Sequence, residues 1–303
     1  MRFIKKHKII TIVLIFLSVY IYMNFTRIVE PNPLVDKGSE HYVNDLYASD
    51  GRIYSDYLDE HEKKIYKMLL NHTKKYDNRF KLYYKDYGCT DLDDLQQKLY
   101  NVYYAILIDH PELMNYAGIT WYCESFETSE YMNVGLYLAF SNKYKEYIGQ
   151  LSIQRIIYDI KLATTGMSDQ EKVKYVYDWM GKHARYDYPF MTFSKNQSIY
   201  NVFMKGNAVC AGFAKASQVI FQNIGIESYT ITGNTSGPHM WNIVKVDGKY
   251  YYYDSTVAVC RKEGSKGFYD GLNQSFFDSY QPDHASWYSG IDIEKTGRLN
   301  KKL

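Results

Sequence analysis

Gly206-Asn207-Ala208-Val209-Cys210-Ala211-Gly212-Phe213-Ala214 decides how this chain is read. From Cys210 onward the apolar residues Phe213, Ile220 and Ile224 recur at helical spacing, and Gly225 supplies a stop signal. The spacing predicts a helix from Cys210 to Ile224 with the cysteine at its N-terminus. Unpaired N–H groups and the positive end of the helix dipole favour a thiolate at such a position, and the thiolate is the attacking form of cysteine.

Downstream, Asp247-Gly248 separates two runs, His239–Val246 and Lys249–Thr256, and is the strongest short-range signal for a two-residue hairpin. The turn pairs Val246 with Lys249, and the same register carried outward sets Thr256 opposite His239. Side chains alternate with period two, so Asp254 shares a face with Thr256 and becomes the diagonal neighbour of His239. A lone Cys is more often a small buried hydrophobe, and a lone strand His more often a satisfied polar residue. Together, at a helix start and on one hairpin face, Cys210, His239 and Asp254 have the makings of a nucleophile, its base and the base's orienter.

Gly206 to Ala214, then Asn223-Ile224-Gly225-Ile226, Gly233, His239-Met240-Trp241-Asn242, Asp247-Gly248-Lys249-Tyr250 and Asp254-Ser255-Thr256 resemble the transglutaminase-like superfamily in order and spacing. The resemblance is strong from about Gln170 to Tyr288. It is weaker upstream, where Ile108-Asp109-His110-Pro111-Glu112 is similar to a segment of bacterial members, and absent at the N-terminus. It implies an α+β, papain- or transglutaminase-like core, with a catalytic Cys at a helix N-terminus packed on an antiparallel sheet. The family's Cys-His-Asp triad falls on Cys210, His239 and Asp254. The implied chemistry is thiol acyl transfer on amide bonds of proteins or peptides, cell-wall peptides included, without a cofactor. Transamidation and hydrolysis both stay open, because superfamily members include cross-linkers, peptidases and inactive scaffolds. A reading of another class also stays open: a non-catalytic surface module that uses the Cys210 cleft to hold a peptide or wall polymer.

Tyrosine is abundant, with 34 residues, and Tyr250 to Tyr253 are consecutive. Alternate members of a strand face opposite sides, so at most two of these four line one surface. Core and interface packing is the plain reading and a stacking platform for substrate the functional one. For that second role the candidates are Trp241 and Tyr252, which share the face of His239 and Asp254. His110, His183 and His284 have no partner at ligand spacing and read as structural. His284 stands where relatives carry a downstream histidine. No Cys-x-x-Cys occurs, which argues against zinc, and no cofactor motif or calcium loop is recognisable.

A chain of 303 residues with 46% hydrophobic content can bury a substantial core. The net charge is only +2, with basic residues clustered at the two ends and no internal basic stripe that would suit nucleic acid. Ile9–Thr26 contains no charged residue and, as a helix, would span ~27 Å, near the hydrocarbon thickness of a bilayer. Arg2, Lys5, Lys6 and Lys8 before it outnumber Arg27 after it, which places the N-terminus in the cytoplasm and the rest of the chain outside the cell. A cleaved signal peptide competes with this membrane anchor, but the bulky exit Tyr20-Ile21-Tyr22-Met23-Asn24-Phe25 favours the anchor. Four cysteines follow: Cys89, Cys123, Cys210 and Cys260. Cys89 with Cys123 is a candidate disulfide that sequence leaves open.

The expected organisation is a basic cytoplasmic tail over 1–8, a transmembrane helix over 9–26 and a linker over 27–45 containing Pro31 and Pro33. A mainly helical region (46–166) comes next, then the transglutaminase-like domain (167–290) and a polar tail (291–303) expected to fray. Helices are expected over Tyr57–Lys75, Asp91–Leu107 and Tyr144–Ala163, and a strand over Tyr131–Phe140. Ser168-Asp169-Gln170-Glu171 is a capping box that should start another helix. Ala184–Asn196 reads as a loop and Ser228–Thr232 as a strand.

Overall fold

The Ser168 capping box forms in the computed structural model: the Glu171 amide donates to Ser168 Oγ and the Ser168 amide donates to Glu171 Oε2 at 2.8 Å. The structure describes residues 54–114, 119–138, 144–187, 196–234 and 237–260, with the backbone alone of 116–118, 143, 281–282 and 297–298. The expected transmembrane helix at 9–26, its flanking tail and linker, and His284 lie outside the described residues. Among the described residues no helix is long and apolar enough to cross a membrane.

The upstream region is built from α1 (Tyr54–Tyr57), α2 (Glu60–Lys75), β1 (Arg79–Tyr83), α3 (Leu92–Asp109), β2 (Tyr116–Tyr122), β3 (Tyr131–Leu138) and α4 (Lys143–Ala163). A second capping box, Asp59 with Glu62, starts α2, and the Asp91 side chain caps α3. The helices fall where their apolar periodicity puts them. The region is mainly helical, and beside its helices β1, β3 and β2 form an antiparallel sheet in that order, of which the sequence marks only β3. Arg79-Phe80-Lys81-Leu82-Tyr83 buries only Leu82, so its apolar signal is one residue deep. The Asp109 carboxylate, fully buried at the end of α3, accepts from the amides of Tyr54 at 3.0 Å and Ser55 at 2.7 Å. Tyr54 Oη donates to the Thr230 carbonyl at 2.7 Å. The start of the described chain is thereby tied to the downstream sheet.

Downstream come α5 (Asp169–His183), β4 (Arg185–Tyr186), a π-helical turn (Asn201–Lys205), β5 (Asn207–Ala208), α6 (Cys210–Asn223), β6 (Ser228–Asn234), β7 (Pro238–Val246), β8 (Lys249–Tyr253) and α7 (Ser255–Cys260). Two short strands, β9 (Gln281–Pro282) and β10 (Gly297–Arg298), complete a five-stranded sheet of order β10-β8-β7-β6-β9. All its pairings are antiparallel except β10 with β8. The tail expected to fray thus contributes an edge pair. The segment expected as a loop after α5 holds β4, which pairs in parallel with β5 just before Cys210.

The α6 helix is buried along nearly its whole length and packs on β6 and β7. Leu107 and Tyr103 of α3 meet Ala211 and Ala214 of α6 and Met240 of β7. The upstream helices therefore form one wall of the core beneath the nucleophile segment.

Candidate active site

Cys210 is the first residue of α6, and Val209 before it makes no side-chain cap. The first-turn N–H groups are left to whatever approaches the cysteine. The helix start is held closely: a Cβ on Gly212 would lie 2.8 Å from Ala208 Cβ and 3.2 Å from the Asn196 carbonyl, so only glycine lets the strap from 196 to 208 cross here. The Val209 amide donates to that same carbonyl at 3.2 Å.

The hairpin has the expected register, with Val246 opposite Lys249 and Asn242 opposite Tyr253. Asp247 and Gly248 take φ of 50° and 77°, the two positive values that a type I′ turn requires. One expectation fails. Thr256 does not face His239, because β8 ends at Tyr253 and Ser255 begins α7. Asp254 is the residue between them, and its two carboxylate oxygens do different work. Oδ1 accepts from the Thr256 amide at 2.9 Å, as an N-cap does, and Oδ2 lies 2.8 Å from His239 Nε2. The strand stops where the helix cap begins, and the carboxylate is fixed from both sides.

His239 is mostly buried and Asp254 fully so. Burial works against a charged imidazole, but the Asp254 charge and hydrogen bond outweigh it, the Cys210 side chain adds to them, and the His239 pKa is pushed up to about 10. With Nε2 turned to Asp254, Nδ1 is the ring nitrogen that faces the thiol. The structure thus brings together all three residues singled out from the sequence.

It gives a different place to the other two. Trp241 is fully buried, its ring stacked against His239 with centroids 5.9 Å apart, and Tyr252, 7% exposed, meets it edge-on at 6.0 Å. Both share the expected face, but neither opens to solvent, so a stacking platform for substrate is corrected to a packed aromatic support behind the histidine. His183 and His110 have structural partners: His183 Nδ1 lies 2.8 Å from the Trp179 carbonyl, and His110 Nδ1 lies 2.8 Å from Glu112 Oε1. All four cysteines are free thiols, Cys89 and Cys123 included. Burial pushes the Cys89 thiol up to about 11.

Two residues near the site had no assigned role in the sequence. Asn242, fully buried on β7, donates through Nδ2 to the Ala214 carbonyl at 3.0 Å and Thr230 Oγ1 at 3.2 Å, fastening the histidine strand to the cysteine helix. Lys215 is 4% exposed on α6, its pKa pushed down to about 8 by burial while the Cys210 charge pulls the other way. A charged residue between Ala214 and Ala216 in an otherwise uncharged helix was the signal for it.

The family model of the transglutaminase-like superfamily matches residues 158–255. Comparison with curated proteins gives no match. Among solved structures, the chain is similar to a TGase at 19% identity and TM-score 0.35, covering 56% of this chain and 54% of that one. It is also similar to a candidate cysteine protease from Cytophaga hutchinsonii, at 15% identity and TM-score 0.31, covering 46% of this chain and 61% of that one. A candidate protease from Parabacteroides distasonis matches at 16% identity and TM-score 0.29, covering 46% of this chain and 36% of that one. The chain thus spans less than two thirds of the length of each. Residues 158–255 carry the transglutaminase-like superfamily domain, and Cys210, His239 and Asp254 all fall within it.

Proposed function

We propose that this chain is an extracytoplasmic thiol acyl-transfer enzyme acting on amide bonds of proteins or peptides, with Cys210 as nucleophile, His239 as base and Asp254 as orienter. The observation that carries this reading is the 2.8 Å His239–Asp254 bond set beside a cysteine at an uncapped helix start. An imidazolium next to sulfur stabilises negative charge there. Sulfur attacks the amide carbonyl, and the oxygen that gains charge is met by first-turn N–H groups of α6. As the tetrahedral centre collapses, His239 gives its proton to the departing nitrogen, the C–N bond breaks, and a thioester remains on Cys210. Water then releases an acid, or an amine forms a new amide, with His239 taking the attacking group's proton in either case. Asp254 stays ionised and keeps Nδ1 aimed at the sulfur.

The uncharged run Ile9–Thr26 would tether the domain outside the cell membrane, where protein and cell-wall peptides are the amides within reach. Protease added to intact cells should remove the domain from Asp36 onward; protection would reverse the topology.

The direct test is the rate of Cys210 alkylation against pH in the full-length chain, read by mass spectrometry of its own peptide. A thiolate-like rate below neutral pH that slows in His239→Ala supports the enzyme. A rate typical of an ordinary thiol, unchanged in His239→Ala, turns the reading to the binding module. Incubating a glutamine peptide with and without a primary amine separates the two acceptors by product mass.

A further inference from the structure

The α4 helix carries two apolar faces. Its inner face buries Ile153, Ile157 and Ile160, and Gly149 allows an approach so close that a Cβ there would lie 2.9 Å from the Tyr200 ring. That packing fixes the helix on the body. The outer face of such a helix is ordinarily polar. Here Tyr144, Ile148, Leu151, Tyr158 and Leu162 are exposed by 36%, 44%, 41%, 53% and 56%. With Arg155 they recur in alternating steps of four and three residues, the a/d spacing of a coiled-coil seam ~27 Å long. An apolar row of this length, broken only by Arg155, marks an association surface, unlike isolated surface leucines.

We propose that this face is a homodimer seam, in which α4 packs antiparallel on α4 of a second copy about a twofold axis passing near Ser152. The charge pattern selects both the occupant and the direction. In this register Ile148 meets Tyr158 of the partner subunit and Tyr144 meets Leu162 of the partner subunit. Leu151 meets Arg155 of the partner subunit, whose aliphatic stem covers the leucine while its guanidinium reaches water. On one flank Lys145 lies beside Asp159 of the partner subunit, joining the exposed Arg155–Asp159 pair that each helix makes within itself at 3.2 Å, and symmetry makes this contact twice. Ser152 meets its own counterpart across the axis, where a small residue lets the helices close. A parallel register would instead set Arg155 against Arg155 of the partner subunit inside the seam, like charge on like charge. Glu146 takes no part, because it faces the body and accepts from Tyr76 Oη. A self-complementary patch is what a twofold interface requires, and a single-helix seam falls below the about 800 Å² per partner of a standard complex, so association in the range of roughly micromolar Kd is expected.

The test is sedimentation velocity of the full-length chain in non-ionic detergent over about 1–100 µM. The wild type should pass from monomer to dimer. Leu151→Asp should stay monomeric throughout with an unchanged melting temperature, since its side chain is exposed. Lys145→Glu or Asp159→Lys alone should weaken association by roughly tenfold, and the two together should restore it. Under mild oxidation Ser152→Cys should form a covalent dimer through residue 152, identified by peptide mass, while Lys145→Cys should not. A wild type monomeric at the highest concentration, a dimer indifferent to Leu151→Asp, or a double variant as weak as the single ones would each overturn the proposal. Monomeric wild type whose binding to mixed phosphatidylcholine–phosphatidylserine vesicles is lost in Leu151→Asp would also overturn it, assigning the face to lipid.

Discussion

His239 with Asp254 and His110 with Glu112 are the same pair of groups at the same 2.8 Å separation. They sit in different company. His110 and Glu112 are two residues apart at the end of α3, both buried, with the Tyr66 ring alongside. His239 and Asp254 are brought together by a hairpin and a helix cap, with a half-buried cysteine beside them. A histidine–carboxylate pair is therefore not in itself a catalytic signal. The nucleophile at the helix start sets one apart from the other, and substitutions in the two pairs should separate activity from stability.

The largest effect is expected at sulfur. Cys210→Ser keeps the shape but loses the acidic thiol, so amide turnover should fall by roughly 10⁴-fold or more with the melting curve unchanged. Residual turnover within about tenfold of wild type would remove Cys210 from the chemistry. Asp254→Asn should cost roughly tenfold less than that, because nucleophile and base remain and asparagine can still cap α7. A loss as large as that of Cys210→Ser would give the carboxylate more than an orienting role. In the other pair, Glu112→Ala should leave kcat unchanged at a temperature where the protein is folded and cost about 1–3 kcal/mol, as leaving a buried hydrogen-bonding group without its partner does. A comparable fall in kcat for Glu112→Ala would erase the contrast between the pairs.

Titration distinguishes the catalytic pair in another way. The folded protein holds the His239 proton up to about pH 10, whereas an unfolded imidazole releases it near 6.5. The stability this contributes is complete below about pH 6.5 and is lost as pH rises through 10, at about 1.4 kcal/mol per pH unit in between. Lys215, pushed down to about 8, titrates in part of this window with the opposite sign. The measurement is thus the difference in denaturation free energy between wild type and His239→Gln, which keeps Lys215. That difference should shrink steadily between pH 7 and 10; a flat difference would mean that the imidazolium is not held.

What the sequence made legible follows from how local each signal is. The nucleophile helix and the hairpin announce themselves within a few residues, through the helical spacing of Phe213, Ile220 and Ile224 before Gly225 and through Asp247-Gly248. The capping box at Ser168 is equally local. By contrast, β1 buries a single residue, and its place in a sheet depends on β3, some fifty residues on. The short α7 carries no helical period long enough to read, so Asp254 looked like a continuing strand. Trp241 and Tyr252 were placed on the correct face, but alternation does not say whether a face meets solvent or other side chains. That information lies in the tertiary packing, which buries both side chains.

The smallest effect should come from the turn that made the His239–Asp254 pair readable. Gly248 takes φ of 77° with open space where a Cβ would go, so Gly248→Val meets backbone strain and no clash. A β-branched residue in that conformation costs on the order of 1–3 kcal/mol, worth a few degrees in Tm. Activity should nonetheless hold within about threefold where the protein is folded. Asp254 does not depend on the turn for its position: Oδ1 is fixed by the Thr256 amide, and α7 in turn packs so tightly on α5 that a Cβ at Gly181 would lie 3.1 Å from the Ala258 carbonyl. A one-residue slip of β8 would have to uncap α7 as well as re-pair the strand. Measuring kcat/KM and Tm for Gly248→Val beside Lys249→Ala decides the matter. If turnover collapses while the fold survives, the turn alone sets the pair, and the anchoring of Asp254 by α7 is too weak to hold the register.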